Sequence, residues 1–388
     1  MNICVVGVGY VGLATGACLS DLGMNVICVD NNHGKIEDLK KGIIPVYEIG
    51  LKDLIQKNIK SGRLSFTHNL KEGVDHSKVI FLTVGTPSLD DGEVDLSSLE
   101  AVAKDVAKYM DDYRVIVIKS TVPVGTAKWL EKILRENQRN PVEFDVVSNP
   151  EFLREGTSIE DFMHPQRVIL GSLSQRALDI LKRIYSPFHL NQTPFVVVTN
   201  DTAEMIKYAS NTFLATKISF ANEMANICEK LGVDVGEVTK AMGLDRRIGS
   251  EFLSPGPGFG GSCLPKDVRA LTKMAEKLGY DFKLGKSAME INRRQKESVI
   301  LKAKKLVGDL NGKSIGILGL SFKPNTDDIR EAPSLVLIQA ILKENAKIKA
   351  FDPAATGEVK KVFPAVYYGD DPYDVAEGCD CLIVLTEW

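Results

Sequence analysis

No stretch of this sequence reaches the roughly 18–20 consecutive apolar residues that a membrane helix needs, so no transmembrane segment is expected. No charge of either sign dominates: 48 Lys and Arg stand against 51 Asp and Glu, a formal net charge of −3. That balance excludes an electrostatic pull toward nucleic acid or an anionic membrane, so any phosphate-bearing ligand must be held by local features. A disulfide framework is also missing. The seven cysteines are scattered and odd in number, and Cys4, Cys18 and Cys28 lie inside apolar segments, as suits a reducing cytoplasm. Cys379 and Cys381 share a face of an apparent strand, but no second ligand pair accompanies them, and no metal is expected. The apolar start MNICVVGVGYVG lacks a basic leader and a cleavage site, so it reads as a buried strand and not as a signal peptide. Neither a short-period repeat nor a low-complexity tract is visible.

What is present is an ordinary soluble globular composition, 44% apolar and 26% charged. At 388 residues the chain exceeds a typical single domain, and two or three are expected. Seven short β-branched runs read as parallel strands buried on both faces: NICVVG, NVICVD, VIFLTV, RVIVIK, FDVVS, RVILG and FVVVT. Helical patterns separate several of them, which gives a doubly wound α/β domain. Asn200, Asp201 and Thr202 offer helix N-caps, apolar residues then recur at helical spacing to Leu231, and Gly232 is a stop. A helix of about 30 residues spans about 45 Å, enough to join two domains and present a dimer face. Helical patterns resume over 267–278 and 288–307. SIGILGLSF, KIKAFDP and CDCLIVLT then read as three strands of a smaller parallel sheet.

The expected fold is therefore α/β, with two Rossmann-like doubly wound parallel-sheet domains joined by a long central helix and a helical dimerisation domain. The boundaries expected are 1–199, 200–308 and 309–388. An open α/β domain rarely ends directly after a strand, which leaves open that the natural chain runs on past Trp388.

Gly7-Val8-Gly9-Tyr10-Val11-Gly12 follows the first strand and opens an amphipathic helix. Gly7 permits the tight turn, Gly9 lets the backbone approach a pyrophosphate, and Gly12 allows close helix–strand packing. The helix N-terminus offers unpaired N–H groups to phosphate. Asp30, at the end of the second strand, would bond the ribose hydroxyls and repel a 2′-phosphate, which favours NAD over NADP. Lys35 reaches the adenosine side or is a solvated surface lysine. Thr83 and Thr86 in TVGTP, and Thr121 in STVPVGT, follow strand ends where ligands bind in this architecture. Each of these threonines either touches the cofactor or caps a helix.

GFGGSCLPKD places Cys263 in a glycine-rich turn that opens a helical pattern. A cysteine at a helix N-terminus has its thiolate stabilised, and Lys266 adds positive charge. The alternative is an inert buried cysteine, which fits Cys4 or Cys28 better.

Taken in order, GVGYVGL, VGTP, STVPVGT, SNPEFLREG, the Lys207/Asn211 helix, FLSPGPGFGGSCLPKD and LGLSFKPNTDDIRE resemble the UDP-glucose/GDP-mannose dehydrogenase family over essentially the whole chain. The resemblance implies a four-electron oxidation of a sugar C6 alcohol to a carboxylate with NAD, UDP-glucose being the expected substrate. It makes Cys263 the nucleophile of a thiohemiacetal and then a thioester. Lys207 resembles the group that stabilises an oxyanion, with Asn211 beside it. Asp267 and Thr121 resemble the pair that orients a catalytic water, Glu155 a general base for thioester hydrolysis, and Glu151 a member of the same acid–base network. The cofactor contacts implied are Gly7, Gly9, Val11, Gly12, Asp30, Lys35, Thr83, Thr86, Thr121, Glu155, Lys266 and Arg330. The substrate contacts implied are Glu151, Phe152, Leu153, Glu155, Lys207, Asn211, Phe252, Leu253, Ser254, Gly256, Gly260 and Lys323. Arg247 joins them from a neighbouring subunit, so a homodimer is expected; the alternative is a surface arginine.

Three rival functions stand beside this one. The same chemistry on GDP-mannose or a UDP-N-acetylhexosamine differs only in base and sugar contacts. A two-electron 3-hydroxyacid dehydrogenase shares the Rossmann domain and a Lys/Asn helix but does not require the thiol. A non-catalytic nucleotide-binding regulatory protein has no need to keep Cys263, Lys207, Asn211 and Asp267 together.

Overall fold

The structure, a computed structural model, describes residues 1–388 apart from the side chains of Leu190 and Asn191. It divides into two compact units, Met1–Tyr208 and Ala209–Trp388.

The first unit runs β1 (Asn2–Val6), α1 (Tyr10–Asp21), β2 (Asn25–Val29), α2 (His33–Lys40), α3 (Leu51–Lys60), β3 (Leu64–Thr67), α4 (Leu70–Asp75) and β4 (Val79–Leu82). It continues with α5 (Ser97–Tyr109), β5 (Arg114–Ile118), α6 (Thr126–Asn137), β6 (Phe144–Ser148), α7 (Ser158–Met163), β7 (Val168–Gly171), α8 (Gln175–Ile184) and β8 (Phe195–Val198). The strands form one sheet in the order β3-β2-β1-β4-β5-β6-β7-β8. Its first six strands have the order of a dinucleotide-binding fold.

Successive side chains of a strand point to opposite faces, and here both faces are covered. Ile3 and Val5 of β1, Val79 and Phe81 of β4, and Val115 and Val117 of β5 enter one core. Their neighbours Cys4, Val6, Ile80, Leu82, Ile116 and Ile118 enter the other. That is why these strands read as unbroken apolar runs. Each fully buried aliphatic side chain contributes about 1.5–3 kcal/mol.

The expected parallel-sheet α/β fold is present, with one strand junction that departs from it. The sheet is not parallel throughout: β7 pairs antiparallel with β6 through Ser148 and Gly171, and β8 then follows β7 in parallel. The connection 149–167 holds only the six-residue α7, preceded by an irregular loop, so no covering crossover helix forms there.

Helix α9 (Asn200–Leu231) has 32 residues and ends at Gly232, whose φ of 68° stops it as expected. It begins in the first unit and ends in the second. The second unit continues with α10 (Val235–Gly243), α11 (Leu264–Lys277) and α12 (Lys283–Val307). Then come β9 (Ser314–Leu318), α13 (Pro333–Lys343), β10 (Lys347–Phe351), β11 (Tyr367–Tyr368) and β12 (Cys381–Val384). These strands form a parallel sheet in the order β11-β10-β9-β12. Three of its strands match the sequence reading; β11, two residues long, left no periodic signal. Among the described residues, no helix is long and apolar enough to cross a membrane.

Candidate functional site

In the first unit the glycine turn between β1 and α1 is built as its spacing requires. Gly7 has φ 99°, and a Cβ there would lie 2.9 Å from the Thr83 carbonyl oxygen. A Cβ on Gly12 would lie 1.8 Å from the Gly7 oxygen, whereas one on Gly9 would meet nothing within 4 Å. Gly9 is the N-cap of α1 and no side chain caps that end, so its first N–H groups face the open space. Val11 lies in this first turn. Asp30 accepts from the Val8 N–H (2.9 Å) and the Asn32 N–H (2.9 Å), and Lys35 stands 3.9 Å from its carboxylate. Lys35 is thus an ion-pair partner of Asp30. The cradle that only glycine leaves open, beside an uncapped helix end and a strand-end carboxylate, fits a dinucleotide.

The threonines are ties between loops and cap no helix. Thr83 Oγ1 donates to the Val6 and Gly7 carbonyls (2.9 and 2.8 Å), which fixes β4 to the glycine turn. Thr86 Oγ1 donates to the Thr121 carbonyl (2.9 Å), which joins VGTP to STVPVGT.

The loop after β6 carries the second cluster. Lys207 donates to the Glu151 carbonyl (2.6 Å) and to its carboxylate (3.0 Å), with both side chains at most 6% exposed. The Leu153 N–H also donates to that carboxylate. Phe152 lies under two cations, with its ring centre 3.9 Å from the Arg167 guanidinium and 5.1 Å from the Lys207 ammonium. Glu155 is half-buried in the same loop. Its neighbour Gly156 donates to Glu48 (2.7 Å) and to the Tyr10 hydroxyl (2.6 Å), and the Ser158 N–H donates to Glu48 (2.8 Å). Burial raises the Glu48 carboxyl against those donors.

Two buried charged groups here escaped the sequence reading. Lys119, just after β5, donates to Asn149 Oδ1 (3.1 Å), which also receives the Tyr185 hydroxyl (2.6 Å). Burial pushes Lys119 down to about 8; Glu151 opposes that fall and Lys207 adds to it. Glu204 accepts from the Gly125 N–H (2.7 Å) and the Ala127 N–H (2.9 Å) at the start of α6, and from Ser148 Oγ (3.1 Å). Burial pushes Glu204 up to about 7 against those donors. The one signal was position: Lys119 ends a strand, and Glu204 sits three residues before Lys207, one turn away on the helix.

In the second unit Cys263 is the N-cap residue of α11, with Pro265 in the first turn. It is half-buried, and Ser262 Oγ lies 3.5 Å from its sulfur. Asp267, 1% exposed, accepts from Asn211 Nδ2 (2.6 Å) on one oxygen and pairs with Lys266 (2.6 Å) on the other. The Lys266 charge is therefore shared with Asp267 and does not act on the thiol alone.

The loop before Cys263 depends on glycine. A Cβ on Gly260 would lie 2.5 Å from the Glu331 carbonyl oxygen, and one on Gly261 2.7 Å from the Phe322 ring. Gly261 N–H donates to the Arg330 carbonyl (2.8 Å). These contacts join the loop to LGLSFKPNTDDIRE. Phe252 has φ 62°, Leu253 is buried, and Ser254 and Gly256 are exposed. Lys323 sits 5.9 Å from the Phe322 ring centre. The side chain of Arg330 bonds Asp328 (2.7 Å) and is 63% exposed. Arg247 bonds Asp245 (2.6 Å) at the surface, with its side chain 88% exposed. Cys379 donates to the Val375 carbonyl (2.9 Å).

A dinucleotide cradle in the first unit, and a thiol at a helix start in the second, define a nicotinamide-linked oxidoreductase. The chain belongs to the UDP-glucose/GDP-mannose dehydrogenase family: residues 1–189 match its NAD binding domain, 201–294 its central domain and 316–388 its UDP binding domain. NAD is its cofactor. It is 45% identical over 388 residues to the UDP-glucose 6-dehydrogenase TuaD of Bacillus subtilis (strain 168), covering 100% of this chain and 84% of that one. It is 46% identical over 396 residues to a UDP-glucose 6-dehydrogenase of Rhizobium meliloti (strain 1021), covering 100% and 90%. The structure of a UDP-glucose dehydrogenase from the hyperthermophilic archaeon Pyrobaculum islandicum superposes with a TM-score of 0.96 at 37% identity, covering 100% and 90%.

Proposed function

We propose that the protein oxidises the C6 alcohol of UDP-glucose to the carboxylate of UDP-glucuronate in two two-electron steps. The observation that carries this reading is Cys263 at the N-terminus of α11, one turn before the buried Asp267 that Asn211 and Lys266 hold. NAD, when bound, accepts hydride; the residues that would hold it are Gly7, Gly9, Val11, Gly12 and Asp30, with Lys35 on the adenosine side.

The chain's own groups do the rest. The first oxidation gives an aldehyde. Cys263 Sγ, as thiolate, adds to the aldehyde carbon, and the oxygen becomes an oxyanion. Lys207 is the cation assigned to that charge, held ready by Glu151, with Asn211 as a second donor. Loss of a second hydride leaves a thioester. Water, oriented by Asp267 and Thr121 and deprotonated through Glu155, adds to the thioester carbon. The C–S bond then breaks, the acid leaves and the thiol is restored. Residues 252–256, Gly260 and Lys323 are assigned to the nucleotide end, and Arg330 to the cofactor phosphates.

We also propose three features of the protein's organisation. Division at residues 199 and 308 is proposed on two observations: α9 starts at Asn200, and the C-terminal sheet has a core of its own, including Ile315, Ile317, Leu337 and Ile348, against which Val299, Ile300 and Val307 of α12 also pack. A homodimer, with Arg247 reaching the partner's substrate site, is supported by Phe213, Phe220 and Ile227 on α9, spaced seven apart and 43–65% exposed. A cytoplasmic location is supported by cysteines that form no disulfide.

The test is a count. Purified protein, NAD and UDP-glucose should yield about two NADH per sugar, with GDP-mannose and a UDP-N-acetylhexosamine run in parallel. A ratio of one refutes the thioester route, and turnover on another sugar alone refutes the substrate. Cys263→Ser should form no acid.

A further inference from the structure

Residues 256–261 belong to no helix or strand, yet their main chain is fully engaged at two points. Gly256 N–H donates to Asn222 Oδ1 (2.8 Å), and the Gly256 carbonyl accepts from Gln295 Nε2 (2.8 Å). Three residues on, Phe259 N–H donates to Asn292 Oδ1 (2.7 Å), and the Phe259 carbonyl accepts from Asn292 Nδ2 (2.9 Å). One residue of each pair thus has its donor and its acceptor both taken by side-chain amides, as a neighbouring strand would take them. Gln295 is held in turn by Asn226 Nδ2 (3.0 Å). Asn292 and Gln295 are three apart on α12, and Asn222 and Asn226 four apart on α9, so each helix presents one amide-bearing face to the loop.

Packing alone does not call for this arrangement. Asn222, Asn292 and Gln295 are 0%, 2% and 9% exposed. A buried amide carries a desolvation cost that apolar side chains of the same volume avoid, and it is tolerated when its bonds are made. Here the bonds go to the main chain of a single loop, and they remove its torsional freedom before any ligand arrives. Asn222 adds a second observation: its Nδ2 has no partner among the described residues, so a buried donor stands open beside the loop it clamps.

We propose that Asn222, Asn292 and Gln295 are positioning residues for the nucleotide sugar, holding the loop that ends at Cys263 in its binding conformation. The proposal rests on the assignment of residues 252–256 to the substrate. Preorganisation of this kind acts on affinity, because the loop's ordering no longer opposes binding. NAD binding, assigned to the first unit, does not depend on it.

The test uses the full-length enzyme and three variants. Gln295→Met and Asn292→Leu remove the amides with little change of volume, and Ser254→Trp blocks the exposed face of the loop. Initial rates give KM for UDP-glucose and for NAD separately, and calorimetry gives the affinity for UDP without turnover. Each amide variant should raise the UDP-glucose KM about tenfold and weaken UDP alike, with the NAD KM within about twofold of the parent. If Asn292→Leu does not fold, Gln295→Met, which loses one bond to Gly256 and one from Asn226, decides the matter. An unchanged UDP-glucose KM in the amide variants, with a raised one in Ser254→Trp, overturns the positioning role and leaves the loop assignment standing. An unchanged KM in all three overturns both. Equal rises in both KM values with a lowered melting temperature reduce the amides to general stabilisers and also overturn the proposal.

Discussion

Replacing Lys207 by methionine keeps the stem of the side chain and removes its charge. Glu151 is then left as a carboxylate about 6% exposed, having lost an ammonium at 3.0 Å. Breaking a buried pair by removing one partner costs about 3–5 kcal/mol, because the remaining charge is neither solvated nor paired. Two features favour the lower end of that range. Lys119 still supplies a positive charge to Glu151 from within the fold, and the Leu153 N–H still donates to it. The expected loss is therefore about 3 kcal/mol, a factor of roughly 150 in the folding equilibrium. Urea unfolding measures it. The chain has two tryptophans, and a Trp388→Phe background leaves Trp129 of α6 as the reporter of the first unit. The control is the cycle of Lys207→Met, Glu151→Gln and the pair together. Removing both groups leaves no orphaned charge, so the double variant should be more stable than the summed single losses predict by about 2 kcal/mol. Single losses that add to within about 0.5 kcal/mol would refute the claim that these side chains act as a buried ion pair.

Two further outcomes follow from the first unit. The folded pKa of Glu204, about 7, lies above its unfolded value, so its contribution to stability is full below about pH 4.5 and is lost as pH rises through 7. Glu204→Gln stays neutral, so its stability relative to the parent should improve steadily between pH 4.5 and 7 in thermal melts; a constant difference would show that the carboxyl does not titrate there. Gly9→Ala should keep the parental melting temperature and lose NAD affinity by about tenfold or more in a fluorescence titration, since only a ligand approaches that position closely. Gly12→Ala, whose new Cβ would lie 1.8 Å from the Gly7 oxygen, should lose both stability and affinity; NAD binding unchanged in either variant removes the glycine turn from the cofactor site.

The sheet of the first unit was legible because parallel strands covered on both faces show no alternation, and β1, β4 and β5 show none. The turn of β7 was not legible. A run such as RVILG is as apolar in one direction as in the other, and direction is set by a loop that has no periodicity. The same limit separates the site residues. Gly7, Gly12 and Cys263 announce themselves because a turn, a close approach and a helix start each demand a particular residue type at a fixed spacing. Lys119, Glu204 and Asn292 do not. Each is an ordinary polar residue in a helix or at a strand end, and its importance arises from groups 30–79 positions away in sequence, the Asn149 side chain for Lys119 and main-chain N–H groups for Glu204 and Asn292.

The burial of the cysteines has a practical meaning for anyone who wishes to label or inhibit this enzyme. Cys4, Cys18 and Cys28 lie inside the first unit, and burial pushes Cys18 and Cys28 up to about 12 and Cys4 higher still, so they stay protonated and out of reach. Cys228 is 8% exposed. An electrophile added to the native protein therefore meets Cys263, Cys379 and Cys381, and burial also raises Cys381. Cys263 stands where a helix start favours the thiolate. Sequence context has in effect sorted seven chemically identical groups into four that are buried away from a covalent probe and three that it can reach, and of those three Cys263 alone stands at a helix start.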